Sequence, residues 1–320
     1  FLKIDAGARA GAMAGAFTAV AEDALSIFYN PAGPAMSGGD QVSLAHAEWF
    51  EGLRNEHAAY THAVSGRLSV FAGFAALLST SLDEYDATGL RTGSYGAMDG
   101  AAGVGAAWKH REDLCFGLFA KSVYQRGAEE KAYAYAGDMG VLYNYGGEMR
   151  FGAALQNLGT SIRLHRTRFD LPRTWRAGAA YRLERMAWLS AERLKAGGSG
   201  AAAALGAEGE YAITGKETVF ARLGYKSGRS RNAGSGLSAG LGLRSGSLGV
   251  DYAFSPLGDL GDAHRFTLTF KFGKTQAARP ERSSVRKAAV KKKARKPAGK
   301  PRSKPRSAPA GTGDTLYLIW

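Results

Sequence analysis

Six histidines, His46, His57, His62, His110, His165 and His264, carry the side chains best suited to metal binding or proton transfer near neutral pH. His46, His57 and His62 recur at short spacing, as ligands of one ion do. A metal site also needs a defined geometry and a second layer of orienting groups, and the sequence shows neither, so no metal is expected. Ser255 and His264, with Asp259 and Asp262 between them, contain the groups of a hydrolytic dyad or triad. Turn and loop capping account for the same residues equally well. Asp83, Glu84 and Asp86 would gather a divalent cation or simply solvate a loop. Pairs such as Gly103-Val104-Gly105 are not followed by a helix and so are not phosphate-binding loops. The one cysteine, Cys115, excludes an intrachain disulfide framework and any paired-cysteine metal or redox site. No cofactor is expected, and the chain is not expected to be an enzyme.

The elements that would hold these residues read as strands. From about residue 42 to 273 apolar and polar residues alternate with period two, which is a β signal. Trp175, Ala177, Ala179, Tyr181 and Leu183 share one face; Thr174, Arg176, Gly178, Ala180 and Arg182 share the other. Phe266, Leu268, Phe270 and Phe272 alternate with Thr267, Thr269 and Lys271 in the same way. About fourteen such segments begin near residues 42, 56, 67, 100, 113, 132, 148, 174, 186, 204, 218, 236, 247 and 264.

Their connections alternate in length. Short ones fall at Ser65-Gly66, 109–112, Gly146-Gly147, Glu184-Arg185, 214–217 and Ser245-Gly246. Long ones fall near 50–55, 79–98, 125–131, 158–173, 193–203, 227–235 and 255–263. A soluble sandwich has no reason to gather its tight turns at one end, whereas an up-and-down barrel in an outer membrane has short periplasmic turns and long outer loops. Lipid offers no partners to free backbone groups, so a membrane sheet must close on itself. The expectation is an all-β, 14-stranded antiparallel transmembrane barrel over 41–273, with its Gly/Ser/Arg/Glu face toward the lumen. Trp49, Tyr124, Trp175, Tyr211, Tyr225 and Tyr252 suit interfacial girdles, or equally the core of a soluble β domain. No apolar run approaches the roughly 18 residues of a membrane helix.

Composition agrees. Glycine is 44 of 320 residues, about twice the usual share. The net charge of +14 is concentrated in residues 274–320, with 14 Lys/Arg against 2 Asp/Glu, leaving +2 on the rest. The basic character therefore belongs to a tail and not to a nucleic-acid-binding domain. The chain opens on Phe1 rather than Met, which suggests a signal peptide ahead of it. Residues 1–40 are rich in small side chains, suited to tight packing. Helical stretches are expected over roughly 9–20 and 22–29, the second stopping at Asn30 ahead of Pro31.

Four stretches in order resemble the PorV/PorQ-type outer-membrane proteins, relatives of the FadL long-chain fatty-acid transporters. They are Gly7-Ala8-Arg9-Ala10-Gly11 through Ala21-Glu22-Asp23 to Tyr29-Asn30-Pro31-Ala32-Gly33; Leu155-Gln156-Asn157-Leu158-Gly159 with Leu171-Pro172 and Arg176-Ala177-Gly178; Leu223-Gly224-Tyr225-Lys226-Ser227-Gly228; and Tyr252-Ala253-Phe254-Ser255-Pro256-Leu257-Gly258-Asp259-Leu260-Gly261 with His264-Arg265. The resemblance covers about 1–273. It implies a 14-stranded barrel in the bacterial outer membrane, with residues 1–40 as a hatch in its lumen and Asn30, Pro31, Ala32 and Gly33 at the hatch turn. It implies that Phe266, Leu268, Phe270 and Phe272 form a final strand of the barrel-assembly type. Two functions follow from it: binding or passing a hydrophobic small molecule, or serving a type IX secretion system by holding secreted cargo.

The tail departs from that family. Residues 274–312 are rich in Lys, Arg, Pro, Ala and Ser and cannot bury enough apolar surface to fold. An even-stranded barrel would place them in the periplasm. Lys291, Lys292, Lys293, Arg295 and Lys296 would there bind a polyanion, peptidoglycan and its carboxylates rather than nucleic acid, or act only as a solvated linker. Residues 313–320 resemble the opening of a LysM peptidoglycan-binding module, which would tether the barrel to the cell wall.

Overall fold

The structure, a computed structural model, describes residues 1–273 apart from residues 81, 128–129, 165–166, 185 and 229–233. The basic tail with Lys291, Lys292, Lys293, Arg295 and Lys296, the stretch 313–320, and His165 lie outside the described residues.

Period-two alternation produces eighteen strands among the described residues. They are β1 (Asp40–Glu48), β2 (Arg54–Ala63), β3 (Leu68–Leu78), β4 (Leu82–Tyr85), β5 (Arg91–Tyr95), β6 (Met98–Arg111), β7 (Leu114–Gly127), β8 (Glu130–Tyr145), β9 (Met149–Gly159), β10 (Ile162–Leu164), β11 (Thr167–Phe169), β12 (Thr174–Leu183), β13 (Ala187–Ala196), β14 (Ala201–Ala212), β15 (Glu217–Lys226), β16 (Leu237–Ser245), β17 (Leu248–Pro256) and β18 (Asp262–Phe272). Fourteen of them close an antiparallel transmembrane barrel in the order β1-β18-β17-β16-β15-β14-β13-β12-β9-β8-β7-β6-β3-β2. The seam runs in register from Asp40 opposite Phe272 to Glu48 opposite His264. Two connections contain structure beyond a loop: β4 pairs with β5 inside 79–98, and β10 pairs with β11 inside 158–173. Their polar composition hides the alternation that marks the wall strands. At one rim every connection is short. At the other rim two expected long connections are absent: pairing continues to Gly127 opposite Glu130, so 125–131 shrinks to residues 128–129, and 193–203 shrinks to 197–200 because β13 and β14 extend into it. At Gly146-Gly147 both residues have positive φ, 64° and 81°, as a two-residue hairpin turn matching the strand twist requires.

The two faces of the wall differ as the pattern demands. Val104, Leu118, Leu205, Leu223 and Leu241 stand exposed on the exterior at 57–66%. A continuous apolar exterior of this kind needs lipid, not water, against it. Trp175, Tyr211 and Tyr225 face outward near strand ends, whereas Tyr252 stands at the middle of β17, bonded to His264 Nδ1 at 2.9 Å. Trp49 does not join them. Its ring lies 5.9 Å from the guanidinium of lumen-facing Arg265, because position 49 continues the inward parity of Ala45 and Ala47.

Residues 1–39 lie inside the ring. A side chain added at Gly117 would overlap Pro31, at Gly140 Asn30, at Gly152 Thr18 and at Gly224 Met13. Those glycines sit on β7, β8, β9 and β15, so the segment touches the wall on several sides. Part of the glycine excess is thus where the wall accepts a backbone; other glycines, such as Gly146 and Gly147, serve turns. The expected helix over 9–20 is cut to α1 (Ala8–Ala12), because Ala14 and Gly15 take φ of 52° and 80° and Gly15 N–H donates to Ala10 O at 2.9 Å. The second stretch is a 3-10 turn at Ala24–Phe28, followed by α2 (Pro34–Ser37). Such short pieces are stabilised by packing, not propensity.

Candidate functional site

The chemistry of this molecule is concentrated between residues 1–39 and the wall. Asn30 is fully buried and makes the central bond set. Its Nδ2 donates to Thr18 O at 3.1 Å and to Val141 O on β8 at 3.0 Å, and its Oδ1 accepts from Ala32 N–H at 3.1 Å. Gly33 N–H closes the turn onto Asn30 O at 2.9 Å. Asn30, Pro31, Ala32 and Gly33 therefore form one tight turn against the wall, where Gly117 and Gly140 leave room for it.

On the β9–β18 side the contact is ionic. Glu192 Oε2 accepts from the main-chain N–H of Phe17 and Thr18 at 3.0 and 2.8 Å, while its Oε1 pairs with Arg176 at 2.6 Å. Arg176 also bonds Gln156, whose amide donates to Phe28 O at 2.7 Å. Arg9 grips Glu208 with two nitrogens, at 2.7 and 2.6 Å. Glu208 in turn holds Arg222, which reaches Asp251 at 2.7 Å. Charge-assisted, bidentate contacts in a dry interior are the strong kind. At the short-turn rim this network opens into a cavity of about 210 Å³, lined by Arg9, Glu22, Asp23, Arg222, Arg244 and Lys271.

The β2–β8 side is apolar. Ile27, Phe28, Leu25 and Met36 pack on Phe71, Phe119, Cys115 and Leu142. Phe28 and Phe119 meet edge to face at 6.4 Å, and Phe119 and Phe71 at 5.7 Å. Toward the long-loop rim a second apolar cluster joins Phe1, Leu2, Ala101, Val123, Ile162 and Leu171. The buried pair Lys121–Asp138, at 2.7 Å, stands on the wall beside Phe119, and Lys121 Nζ lies 5.8 Å from that ring.

The fold is that of known toluene transporters. The Ralstonia pickettii toluene transporter TbuX is 14% identical over 83% of this chain and 98% of that one, with a TM-score of 0.58. The Pseudomonas putida toluene transporter TodX is 11% identical over 84% and 99%, also with a TM-score of 0.58. A Pseudomonas aeruginosa FadL homologue is 12% identical over 83% and 98%, with a TM-score of 0.55. No protein-family model and no curated protein sequence matches the chain. At these identities the likeness establishes the fold.

The other candidate residues are not brought together. His46 faces outward against Glu56 at 2.7 Å, His57 faces the lumen, and His62 bonds Asp40 at the rim. Among the described residues no group of three or more His, Cys, Asp or Glu is placed to hold a metal ion. Ser255 points inward to Ser238 and Arg265, while His264 points outward to Tyr252, so opposite faces of the wall separate that pair. Asp83 pairs with Arg91, and Asp86 caps its own turn by accepting from Thr88 and Leu90 N–H. The ionic seat around Glu192 and Glu208 was not foreseen as a set. Its signal was charged residues at inward positions, Arg176, Glu192, Glu208 and Arg222, in rows that also carry small residues such as Gly178, Ser190, Gly206 and Gly224.

Two acidic groups of residues 1–39 are shifted in opposite directions from their ordinary values. Burial pushes Glu22 up, but Arg150 and Arg9 outweigh it and hold the carboxyl below its usual value of 4.5. Burial raises Asp23, with Arg9 only partly opposing. A depressed carboxyl contributes stability that is complete at neutral pH and lost as pH falls through the folded value. Arg150, stacked 4.4 Å over Trp188, should therefore be released only below about pH 4.5. Trp188 emission during acid titration checks this. Glu22→Gln should flatten the transition, and an unchanged curve in that variant would show that another group drives it.

Proposed function

We propose that the chain is a non-enzymatic bacterial outer-membrane barrel that passes a hydrophobic small molecule along the apolar flank of a plug formed by residues 1–40. The observation that carries this reading is the division of the lumen. Ions hold the segment on one side; on the other lie two apolar clusters, Phe1, Leu2 and Val123 toward the long-loop rim and Phe28, Phe119, Phe71, Cys115 and Met36 below, with the Lys121–Asp138 pair between them, and together they form the apolar seam of this reading. A hydrophobic molecule would partition into that seam from the long-loop rim. It would leave when the Asn30-Pro31-Ala32-Gly33 turn gives way, while the ionic seat keeps the plug attached. Phe266, Leu268, Phe270 and Phe272 serve in this reading as the strand recognised during assembly. The fold shared with toluene transporters supports the same class of ligand.

The test is whole-cell uptake of labelled toluene by a bacterium lacking its own carrier. The chain should raise uptake above that of cells without it. Phe28→Ala, which widens the seam, should raise it further by roughly threefold, about the effect of 0.7 kcal/mol on a barrier. Uptake equal to that of empty cells would end the reading.

A second reading, a PorV-type component of a type IX secretion system, draws on the sequence resemblance and on the tightness of the seat, since a plug held by buried ion pairs suits a barrel that never opens. Co-purification of secreted proteins or machinery with the detergent-solubilised chain would favour it over transport.

A further inference from the structure

The exterior wall over β6–β9 carries a feature that transport through the lumen does not use. A groove of about 570 Å³ lies there, lined by Val104, Ala106, Leu118, Ala120, Gly137 and Met139. Its floor is low because Ala120 and Gly137 sit directly opposite each other across β7 and β8. Next to it the β8–β9 register slips between Gly137 and Met139. Two residues of β9, Gln156 and Asn157, there oppose the single residue Asp138. Asn157 takes φ of 60°, and its N–H donates to Asp138 Oδ1 at 2.7 Å. A bulge of this kind bends a strand and re-aims its side chains.

Further along the same two strands, toward the long-loop rim, the outward rows read Ser122 opposite Tyr135, Tyr124 opposite Tyr133, and Arg126 opposite Lys131. Tyr124 and Tyr133 touch, with ring centroids 5.0 Å apart. Arg126 and Lys131 are both exposed, and neither has an ion-pair partner among the described residues. Like charges directly opposite on adjacent strands are destabilising, and an anion between them turns that repulsion into two charge-assisted bonds. Six residues separate the cations from the Ala120–Gly137 floor. At about 3.4 Å per residue and a tilt near 40° that is a rise of about 15 Å, the hydrocarbon depth of one leaflet.

We propose that this wall is a binding site for a phosphorylated glycolipid of the outer leaflet, with a phosphate between Arg126 and Lys131 and an acyl chain in the groove over Ala120 and Gly137. Charge complementarity, the tyrosine row at interface height and the reach from cation to groove match that one occupant. The inference rests on the membrane placement proposed above.

The full chain, purified in detergent, is mixed with lipid A carrying two phosphates and examined by native mass spectrometry. The wild-type chain should retain lipid A on the order of tenfold better than the Arg126→Gln/Lys131→Gln variant, the effect of two surface cations on an anionic lipid. Gly137→Leu should also lose the lipid by filling the groove. A Cβ there meets nothing closer than Phe119 O at 3.8 Å, so the wall accepts the change. Arg193→Gln/Lys195→Gln, which removes two exposed cations from β13, should leave retention unchanged. Equal retention by the Arg126/Lys131 variant, equal retention of phosphatidylglycerol, or a lipid-free dimer covering the groove would each overturn the proposal while leaving a membrane barrel intact. A chain that does not insert into nanodiscs would overturn the membrane placement and the lipid site together.

Discussion

Deleting residues 1–39 should convert a silent barrel into a conducting one. The wall does not depend on that segment for closure, since β1 and β18 pair over nine positions from Asp40 to Glu48. Arg176–Glu192 and the chain from Glu208 through Arg222 to Asp251 are wall-to-wall contacts and persist without it. What remains is a ring whose inward face carries Gly, Ala, Ser and paired charges, a surface that water fills. Barrels of 16–18 strands hold open aqueous channels, and fourteen strands enclose only a somewhat narrower lumen, so conductance in a planar bilayer should rise by on the order of tenfold or more. Heat-modifiable migration on gels must be retained by the deleted chain for the comparison to count. Unchanged conductance in a closed barrel would mean that residues 1–39 are not what blocks the lumen.

The same segment would let the proposed hydrophobic ligand coexist with a charged lumen. A water-filled pore would present such a molecule with polar walls throughout. Here the ion pairs between residues 1–39 and the wall are confined to the β9–β18 side, and on the opposite side Ile27, Phe28, Phe71 and Phe119 pack beside the wall's own Lys121–Asp138 pair. Charge holds the plug on one side only; on the other it is held by neutral hydrogen bonds, Asn30 Nδ2 to Val141 O and Ser69 Oγ to Pro34 O, and by apolar packing, the contacts that would yield first. The cavity at the short-turn rim lies on the ionic side. There Arg244 stacks over Phe220 at 4.8 Å, and neither Arg244 nor Lys271 has a carboxylate within ion-pair distance among the described residues. An apolar molecule gains nothing by passing there.

How much of this was legible depends on range. Fourteen wall strands, their faces and the rim of tight turns follow from period-two alternation, a local signal that tertiary contacts reinforce. Arg176 and Arg182 fell on the lumen face by parity alone. Their partners did not, because Glu192 and Glu210 lie on other strands, and only the register brings Arg176 to Glu192 and Arg182 to Glu210. The helix expected over 9–20 failed for a related reason. Ala-rich sequence favours a helix locally, but the lumen accepts only α1 before the chain must turn at Ala14-Gly15. The β4–β5 hairpin escaped because its strands are largely exposed and polar, and β10–β11 because its strands are only three residues long, too short for a period to show even with Ile162 buried. Trp49 was placed in the lipid girdle by residue type, when its parity already put it inside.

The seat makes the second large prediction. Glu192→Ala should destabilise the plugged barrel more than any single exterior change. Its carboxylate serves Arg176 and the two main-chain donors Phe17 and Thr18 at once, and its side chain is almost wholly buried. Truncation leaves Arg176 with only the neutral acceptors Gln156 Oε1 at 3.1 Å and Gly15 O at 3.5 Å. Removing one partner of a buried pair costs about 3–5 kcal/mol, because the remaining charge is uncompensated, and two orphaned N–H groups add to it. Glu192→Gln keeps an acceptor for one set of donors and should fall between wild type and Ala. Arg193→Ala, the next residue on β13 but exposed on the exterior, should change stability by no more than about 0.5 kcal/mol. The temperature at which the folded gel band disappears, with protease sensitivity near Phe17 and Thr18, measures the difference. If Glu192→Ala and Arg193→Ala melted together, the ionic seat would not be what holds residues 1–39 in the lumen.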